Sequence, residues 1–375
     1  MTDWVRLPEP STGGRLASAL RRIHIDGPLL LGLVIIVAIG LAVLYSAVDQ
    51  RWVLVRAQVI RLAIAFAAMF IVAQFSPAFM RRWTPAAYLG GLALLVLVIV
   101  IGDTGHGAQR WLEIGIRFQP SEVMKLAVPM LLAWYLHTEP LPPSLKTTAL
   151  LAAAIAAPTA LIAVQPDLGT SILIAASGAL VLLLAGLRLR IVLAALALLA
   201  AALPLIWRGM HDYQRQRVLT LLDPTSDPLG AGYNIIQSTI AIGSGGLFGR
   251  GWTNGTQGTL GYLPERNTDF IFAVLAEEFG LLGVVALLLA YLFVVGRGLY
   301  IALVARDTFA RLTAGSISLT FFVYVFVNIG MVSGILPVVG VPLPLVSFGG
   351  TSMVTLLAGF GILMSIHTRR KLLPH

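Results

Sequence analysis

Long apolar stretches, each about 20 residues, alternate with short polar segments along almost the whole chain. That length is what an α-helix needs to cross a bilayer. The chain is therefore predicted to be an all-α polytopic membrane protein, one domain over residues 1–375, with about ten transmembrane helices. These spans are predicted at residues 29–45, 53–75, 86–102, 122–137, 147–164, 169–186, 190–207, 269–295, 311–332 and 347–366.

Composition supports the membrane interpretation. Hydrophobic residues make up 58% of the chain and charged residues 11%, whereas soluble domains carry about 25% charged residues. The chain has no cysteine, which excludes disulfides, thiolate metal sites and thiol nucleophiles.

The first apolar stretch, Leu29–Tyr45, follows a polar segment over residues 1–27. A signal peptide is the alternative interpretation, because the small residues Ser46 and Ala47 come directly after it. The stretch is longer than the apolar part of most signal peptides, and further spans follow it. Both features favour a retained first span.

The positions of lysine and arginine predict the orientation. With the N-terminus in the cytoplasm, the inner segments hold most of the 26 basic residues, and the short outer loops hold few. The positive-inside rule therefore places the N-terminal segment and the tail, residues 367–375, in the cytoplasm. The net charge of +9 then reflects topology and gives no indication of nucleic-acid binding.

Two outer segments are candidates for building a site. The loop at residues 208–268, between the seventh and eighth spans, is the one stretch large enough for structure outside the bilayer. Residues 334–353 combine several prolines and glycines with Ser347. Irregular backbone at a membrane edge is tolerated where it lines a cavity or packs on protein, so this segment suits a site wall.

Asp269 is the first acid where the large outer loop meets the eighth span. A carboxylate at this position reaches water but lies against apolar surface, and burial raises its pKa towards the range of a general base. The alternative is an acid that caps the helix. On a continuous helix, Glu277 and Glu278 would lie about 80° and 180° from Asp269, so both are interpreted as structural acids.

Two further acids, Glu122 and Asp167, lie at the outer ends of predicted spans. Glu122 is three residues before Lys125, and the two side chains share one helix face. Either charge alone costs about 3 kcal/mol in the membrane, which predicts that the two side chains pair. That pair is compatible both with helix packing and with a direct catalytic role. Asp167, in QPDLGT, is interpreted as a turn and helix-cap residue.

Several outer side chains are candidates for binding a lipid pyrophosphate. Arginine suits bidentate phosphate recognition, and tryptophan suits the headgroup level. Headgroup anchoring is the alternative role for the same side chains. The candidates are Arg110, Arg217, Arg266, Trp111, Gln237 and Ser347. No acid cluster indicates a metal site, although a divalent cation, Mg²⁺ or Mn²⁺, on the pyrophosphate is compatible with this set.

Five motifs resemble the SEDS family of membrane proteins, and the match runs from the first span to the tenth. The loop between the seventh and eighth spans resembles the elongation branch of that family more than the division branch. Asn267 stands where many relatives carry histidine. The motifs, in chain order, are RFQPSEVMKLA, QPDLGTS, NIIQSTIAIGSGGLFGRGW, LPERNTDFIFAVLAEEFG and PLPLVSFGGTSM.

The resemblance implies a peptidoglycan glycosyltransferase that polymerises lipid II at the outer face of the inner membrane during cell elongation. Asp269 matches the essential aspartate of the family, and Glu122 and Lys125 match its intramembrane ion pair. The resemblance also implies a class B penicillin-binding protein as the transpeptidase partner, together with other proteins of the elongation complex.

Two other classes of protein explain part of the pattern. A lipid II flippase accounts equally well for the spans, the buried charges and a lipid substrate, and a non-catalytic scaffold is a third interpretation. An alternating transporter should carry charge at both faces and at the midplane. Here Asp269 and the glycine-rich loop gather on the outer face, which favours the enzyme.

Overall fold

The structure is a computed structural model that describes residues 23–105, 108–113, 117–210, 212–226, 231–259 and 261–369. Helices dominate it, with one small sheet. The first half contains α1 (Gly27–Ala47), α2 (Trp52–Gln74), α3 (Pro77–Ile101), β1 (Asp103–Gly105), β2 (Ala108–Glu113), β3 (Arg117–Phe118), α4 (Pro120–Leu136) and α5 (Leu145–Val164). The second half contains α6 (Leu168–Leu184), α7 (Leu189–Gly209), α8 (Asp212–Leu222), a 3₁₀ turn (Pro224–Ser226), α9 (Ala231–Ser244), α10 (Thr256–Thr259), α11 (Ile271–Val304), α12 (Thr308–Val332) and α13 (Thr351–Thr368).

The predicted all-α membrane fold is confirmed. Within the described residues, seven helices are long and apolar enough to cross a membrane, and α6 and α7 contribute two shorter apolar helices. With α4, they correspond one to one to the predicted spans. The predicted cytoplasmic segments lie mostly outside the described residues, since residues 1–22 and 370–375 are not among them.

Some helix ends differ from the prediction. Helix α3 begins at Pro77, nine residues before the predicted start at 86, because the Ser76 side chain accepts a hydrogen bond from the Phe79 amide and caps it. Helix α11 continues to Val304, beyond the predicted end at 295. In both cases charged residues belong to the helix, Arg81 and Arg82 in α3 and Arg297 in α11, so apolarity alone made the predicted spans too short.

The loop between α3 and α4 forms a three-stranded antiparallel sheet in the order β1-β2-β3, which the sequence did not predict. Asp103 pairs with Trp111 across β1 and β2, and Leu112 pairs with Phe118 across β2 and β3. Strand β2 thereby holds Arg110 and Trp111 at the end of the helix bundle.

Helix α12 is the most buried of the seven membrane-length helices in the described residues. Its most apolar window is 67% buried, whereas those of α2, α3 and α5 are each 28% buried. The fully buried Phe321 of this helix packs edge-on against Phe360 of α13, with ring centroids 4.9 Å apart. Several polar side chains on α12, including Thr313, Ser316 and Asn328, are therefore enclosed by neighbouring helices.

The two ends of the bundle are marked by contacts between turns. At the first, called the site end, Arg266 reaches Asp49 and Arg110 reaches Pro166. At the other, called the far end, Arg81 lies near Asp307. Asp269 belongs to the site end, because it precedes α11 on the same side as Arg266.

Candidate functional site

Asp269 lies in a tight turn that leads into α11. The Glu265 carbonyl closes the turn by accepting hydrogen bonds from the amides of Thr268, at 3.0 Å, and Phe270, at 3.2 Å. Glu265 itself has a φ of 52°, an uncommon conformation for a residue with a side chain. Such local strain persists only where surrounding contacts enforce it.

The structure corrects two assumptions about this turn. Helix α11 begins at Ile271, and its N-cap position is occupied by Phe270 with no side-chain cap hydrogen bond. Asp269 therefore precedes the helix and is not its capping residue. The helical angles predicted between Asp269 and the pair Glu277 and Glu278 do not apply, because the three residues do not share one helix.

A buried side chain of α12 anchors the backbone of Asp269. Asn328 is fully buried, and its Nδ2 donates to the Asp269 carbonyl at 2.9 Å and to the Val341 carbonyl at 2.7 Å. One amide group thus holds both the turn that carries the acid and the irregular segment beside it.

That irregular segment, residues 334–350, is tied to the turn by further hydrogen bonds. Ser347 Oγ donates to the Thr268 carbonyl at 2.5 Å and accepts from the Leu343 amide at 2.8 Å. The Phe348 amide donates to the Asn267 carbonyl at 2.8 Å. This contact uses the backbone of Asn267, so the departure from histidine at this position leaves it unchanged.

The surroundings of Asp269 shift its ionisation. Burial of the carboxyl group, followed by the charge of Glu265, raises the pKa of Asp269 to about 6, while the charge of Arg217 on α8 acts in the opposite direction. An aspartate with a pKa near 6 is ionised at neutral pH and is a stronger base than an ordinary aspartate.

A polar cavity of about 230 Å³ lies beside this turn. Gly340 lines the cavity, and a methyl group at Gly340 would lie 3.6 Å from Asp269 Oδ2. Asp269 is not itself among the lining residues, but its carboxylate lies beside one of them, Gly340. Segment 334–350 supplies much of that wall, as its composition predicted. The charged and polar lining residues include Arg110, Gln119, Glu122, Lys125, Asp167, Tyr324 and Ser347.

Glu122 and Lys125 form an ion pair inside this cavity. Lys125 Nζ lies 2.7 Å from Glu122 Oε1, and their side chains are 11% and 5% exposed. Lys125 Nζ also lies 5.1 Å from the ring centroid of Tyr324. Glu122 Oε2 is buried without a hydrogen-bond partner among the described residues. Pairing offsets the cost of burying two charges and leaves one oxygen available to a ligand.

Arg110 and Asp167 form the opposite wall. Asp167 caps α6 by accepting from the Thr170 amide at 3.2 Å, and its other oxygen accepts from Gln119 Nε2 at 3.2 Å. Arg110 Nη2 donates to the Pro166 carbonyl at 2.9 Å, and its Nε lies 3.7 Å from Asp167 Oδ2. Arg110 is thus held at the cavity while its side chain remains 36% exposed.

The remaining candidates are distributed unevenly. Trp111 lines the cavity. Arg217 is exposed on α8, near enough to Asp269 to affect its pKa. Arg266 is absent from the cavity lining and pairs with Asp49 at 2.5 Å. Gln237 is half-buried on α9 and is also absent from that lining. Sequence spacing could not separate these four positions.

Glu277 and Glu278 bind the glycine-rich part of the large loop. Glu277 Oε1 accepts from the amides of Thr256, at 2.7 Å, and Gln257, at 3.0 Å, which are the first residues of α10. Glu278 accepts a hydrogen bond from Ser46 Oγ of α1. In these contacts both acids support the loop and the bundle, the kind of role that the sequence analysis assigned to them.

Close backbone packing explains the glycines of this loop. A methyl group would lie 2.0 Å from the Ala276 carbonyl at Gly245 and 2.1 Å from the Glu278 carbonyl at Gly249. Helix α11 is interrupted at Gly280, where φ is 62°, and the Leu281 amide there donates to the Gly246 carbonyl at 2.9 Å. The loop therefore takes up backbone groups that the interrupted helix leaves unpaired.

Sequence analysis overlooked three residues near the site. Asn328 and Tyr324 lie four residues apart on α12, and a polar residue within an otherwise apolar span was the available signal. The third, Arg61, lies within α2 with its guanidinium carbon 4.4 Å from the ring centroid of Phe348. Each contacts the cavity or segment 334–350.

The described ranges contain no group of three or more histidine, aspartate or glutamate side chains that could hold a metal ion. The charged side chains described at this site include Asp269, the Glu122–Lys125 pair and Arg110.

These features define a polytopic membrane protein whose site is a basic carboxylate beside a polar cavity at one end of the bundle. Comparison with known proteins agrees with this. A family model described as "Cell cycle protein", covering FtsW, RodA and SpoVE, matches residues 21–372. The chain belongs to this family, the SEDS family.

Individual relatives place the chain on the RodA side of the family. Peptidoglycan glycosyltransferase MrdB of Escherichia coli K12, a RodA protein, is 54% identical over 94% of this chain and 96% of its own length. The probable peptidoglycan glycosyltransferase FtsW of Geobacter metallireducens is 34% identical over 93% and 96%. The predicted resemblance to the elongation branch is confirmed.

Solved structures share the fold. A chain from "Structural coordination of polymerization and crosslinking by a peptidoglycan synthase complex" has a TM-score of 0.81 and 36% identity, covering 92% of this chain and 98% of that one. The rod shape determining protein RodA of Thermus thermophilus has a TM-score of 0.69 and 30% identity, covering 92% and 97%.

Proposed function

We propose that the chain is a peptidoglycan glycosyltransferase that polymerises lipid II, with Asp269 as the catalytic base. The observation that carries this proposal is the position of the Asp269 carboxylate, largely buried and with a raised pKa, beside Gly340 in the wall of the polar cavity. The names of the relatives, peptidoglycan glycosyltransferases on both branches, support the reaction class.

In the proposed reaction, Asp269 removes the proton from the 4-hydroxyl of an acceptor GlcNAc. The hydroxyl oxygen attacks C1 of the donor MurNAc as the bond from C1 to the pyrophosphate breaks. The product is a β-1,4 bond with inversion at C1, and undecaprenyl pyrophosphate leaves. Pyrophosphate is a good leaving group, so the second carboxyl that glycoside hydrolysis requires has no counterpart here.

Arg110 and Lys125 are the basic residues best placed to stabilise the departing pyrophosphate, because both line the cavity. Arg217 acts on the same face through its charge near Asp269. Arg266 is a weaker candidate, since it pairs with Asp49. Of the uncharged candidates, Trp111 and Ser347 line the cavity. Gln237 lies on α9, outside that lining, and is proposed to bind substrate through the large loop. A Mg²⁺ or Mn²⁺ ion on the pyrophosphate would add to the same stabilisation.

The proposed orientation places the site end outside the cytoplasm of a bacterial inner membrane and both termini inside. The support is the excess of arginine at the far end, including Arg81, Arg188 and Arg306, over the short loops of the site end. In this orientation the loop at residues 208–268 is extracytoplasmic, and the whole chain is one transmembrane domain.

A class B penicillin-binding protein, which would crosslink the glycan, is the proposed partner. One solved relative belongs to a peptidoglycan synthase complex in which polymerization and crosslinking are coordinated. Other proteins of the elongation complex are proposed to bind the same assembly.

The test is polymerisation of labelled lipid II by the purified protein with its partner. Asp269→Asn is expected to abolish the glycan ladder seen with wild type. Asp223→Asn, which changes an exposed carboxylate of the same outer loop, is the matched control and should leave the ladder intact. A normal ladder from Asp269→Asn would overturn the assignment. Transbilayer movement of lipid II in vesicles without any ladder from wild type would favour a flippase instead.

A further inference from the structure

A second, larger cavity opens at the far end of the bundle, away from Asp269. Its volume is about 760 Å³. It lies where the turn between α2 and α3, the turn between α11 and α12, and the end of α13 come together. Pro77, Ala78, Ala310 and Ile366 supply an apolar floor. Nothing in the proposed polymerisation reaction uses this cavity.

The charged residues that line this cavity are mainly positive. They are Arg81, Arg306, Arg369 and Asp307, so three positive charges face one negative charge, a local net charge of +2. Arg81 Nη1 lies 3.7 Å from Asp307 Oδ2, and the two side chains are 35% and 47% exposed. A pair this exposed and this long neutralises little of the charge.

The other two arginines keep donors available. Arg306 has no hydrogen bond or ion pair with any residue that the structure describes. Arg369 donates from Nη2 to the Gln74 carbonyl, while its Nε is buried without a partner in the same described part of the chain. The cavity therefore holds guanidinium donors in excess of the acceptors around it.

Two helices also begin at this cavity. Helix α3 starts at Pro77, and α12 starts at Thr308 with no side-chain hydrogen bond from its N-cap residue, Asp307. The first amides of a helix lack intrahelical partners and carry partial positive charge. Both helix starts add to the attraction that the arginines exert on an anion.

Three exposed aromatic residues lie near the cavity, one in the turn before α3 and two on α3 itself. Phe75, Phe79 and Trp83 are 43%, 45% and 56% exposed. The rings of Phe75 and Phe79 stack with centroids 5.0 Å apart, and Trp83 follows at 6.2 Å. Membrane proteins concentrate tryptophan and other aromatic side chains at the level where headgroups give way to acyl chains, so this aromatic ladder is suited to contact acyl chains near the headgroups.

We propose that this far-end cavity binds the headgroup phosphate of an anionic phospholipid, with the acyl chains lying along the aromatic ladder. Guanidinium groups and helix N-termini recognise the phosphate, and the apolar floor receives the glycerol backbone. The lipid bridges the starts of α3 and α12 and the end of α13. A free phosphate ion shares the headgroup chemistry but would make no use of the ladder.

The test counts bound lipids on the full-length protein in detergent by native mass spectrometry during titration with phosphatidylglycerol. Arg306→Gln and Arg81→Gln remove donors that the fold does not require. A basic residue near a lipid headgroup contributes about a fivefold gain in affinity, so the double variant should bind about 25-fold more weakly. Arg190→Gln removes one charge, as either single substitution at the cavity does, from an exposed position on the same face. It should bind as wild type does, whereas each single substitution at the cavity should bind about fivefold more weakly.

Further measurements distinguish binding of a phospholipid headgroup from binding of free phosphate. Phosphatidylcholine and millimolar inorganic phosphate should each leave the bound phosphatidylglycerol in place. Trp83→Ala should weaken lipid binding without changing the response to inorganic phosphate. The proposal is overturned if the double variant binds like wild type, if Arg190→Gln loses as much affinity, or if inorganic phosphate displaces the lipid. Arg306→Gln alone serves if the double variant unfolds, because Arg306 has no partner in the described fold to lose.

Discussion

The side-chain amide of Asn328 donates one hydrogen bond to the carbonyl of Asp269, at 2.9 Å, and another to the carbonyl of Val341, at 2.7 Å. Asn328 lies on the most enclosed helix of the bundle and is fully buried. One side chain outside the cavity therefore helps to fix the separation between Asp269 and the cavity wall, together with the Ser347 and Phe348 contacts. Asn328 is a positioning residue in this arrangement.

Replacing Asn328 should reduce both the stability of the fold and the turnover of each folded molecule. Asn328→Leu leaves two buried carbonyls without their donor, which costs about 1–3 kcal/mol for each unsatisfied group. The displaced Asp269 turn should lower the polymerisation rate by about 100-fold, the effect of a shift of about 1 Å in a reacting group. The rate of glycan-ladder formation and the thermal midpoint in detergent measure the two effects.

The matched control for this change is Ser316→Ala. Ser316 is buried on the same helix and donates to the Ser177 carbonyl at 3.0 Å, away from Asp269. Its loss should lower the thermal midpoint but leave the rate per folded molecule unchanged. Equal rate losses in both variants would show that α12 affects activity only through overall stability.

The pH dependence of polymerisation should follow the ionisation of Asp269. A base acts in its ionised form, so the rate should fall about tenfold per pH unit below a pKa of about 6 and level off above it. Glu265→Gln removes a negative neighbour and should lower the pKa of Asp269, so the fall in rate should move to lower pH. Arg217→Gln removes a positive neighbour and should raise that pKa, so the fall in rate should move to higher pH. Shifts in the same direction in both variants would contradict the assigned electrostatics.

Replacing Lys125 alone should lower the free energy of unfolding more than replacing both Glu122 and Lys125. Lys125→Met leaves the Glu122 carboxylate buried without its partner, and such a change destabilises by about 3–5 kcal/mol. The double change Glu122→Gln with Lys125→Met should recover most of that loss in a denaturation assay. If the double variant regains stability but makes no glycan, the pair acts in the reaction. If it regains both, the pair serves packing alone.

The glycine-rich loop offers a comparison between neighbouring positions. Gly245→Ala would put a methyl group 2.0 Å from the Ala276 carbonyl, and overpacking of this kind costs about 1–3 kcal/mol or more. Gly243→Ala has nothing within 4 Å and should stabilise α9 by about 0.5–1 kcal/mol, since alanine is the better helix former. Opposite shifts in the thermal midpoint are expected, and equal shifts would contradict the observed docking of the loop.

The helices were predictable because apolar periodicity and length are local properties of the chain. All ten predicted spans correspond to described helices. The break at Gly280 was not predicted, because its cause is the Gly246 carbonyl of a loop 35 residues earlier, which accepts from the Leu281 amide. The sheet that carries Arg110 was missed for a similar reason, since its short strands resemble an ordinary polar loop.

The site was only partly predictable. Asp269 could be singled out as an acid at a membrane entrance, but its position before α11 depends on the Glu265 turn. Arg110 and Arg266 are indistinguishable by residue type, yet one lines the cavity and the other pairs with Asp49. The discriminating contacts join residues far apart in sequence, such as Asn328 and Asp269, which local patterns do not contain.

The hydrogen bonds that fix Asp269 also set an order in biosynthesis. The acid enters the membrane region before Asn328, and Ser347 follows later still, close to the last helix. A chain still on the ribosome therefore carries the base without the groups that hold it. The protein can acquire a competent site only once nearly all of it has been inserted, so a truncated product of interrupted translation is expected to be inert.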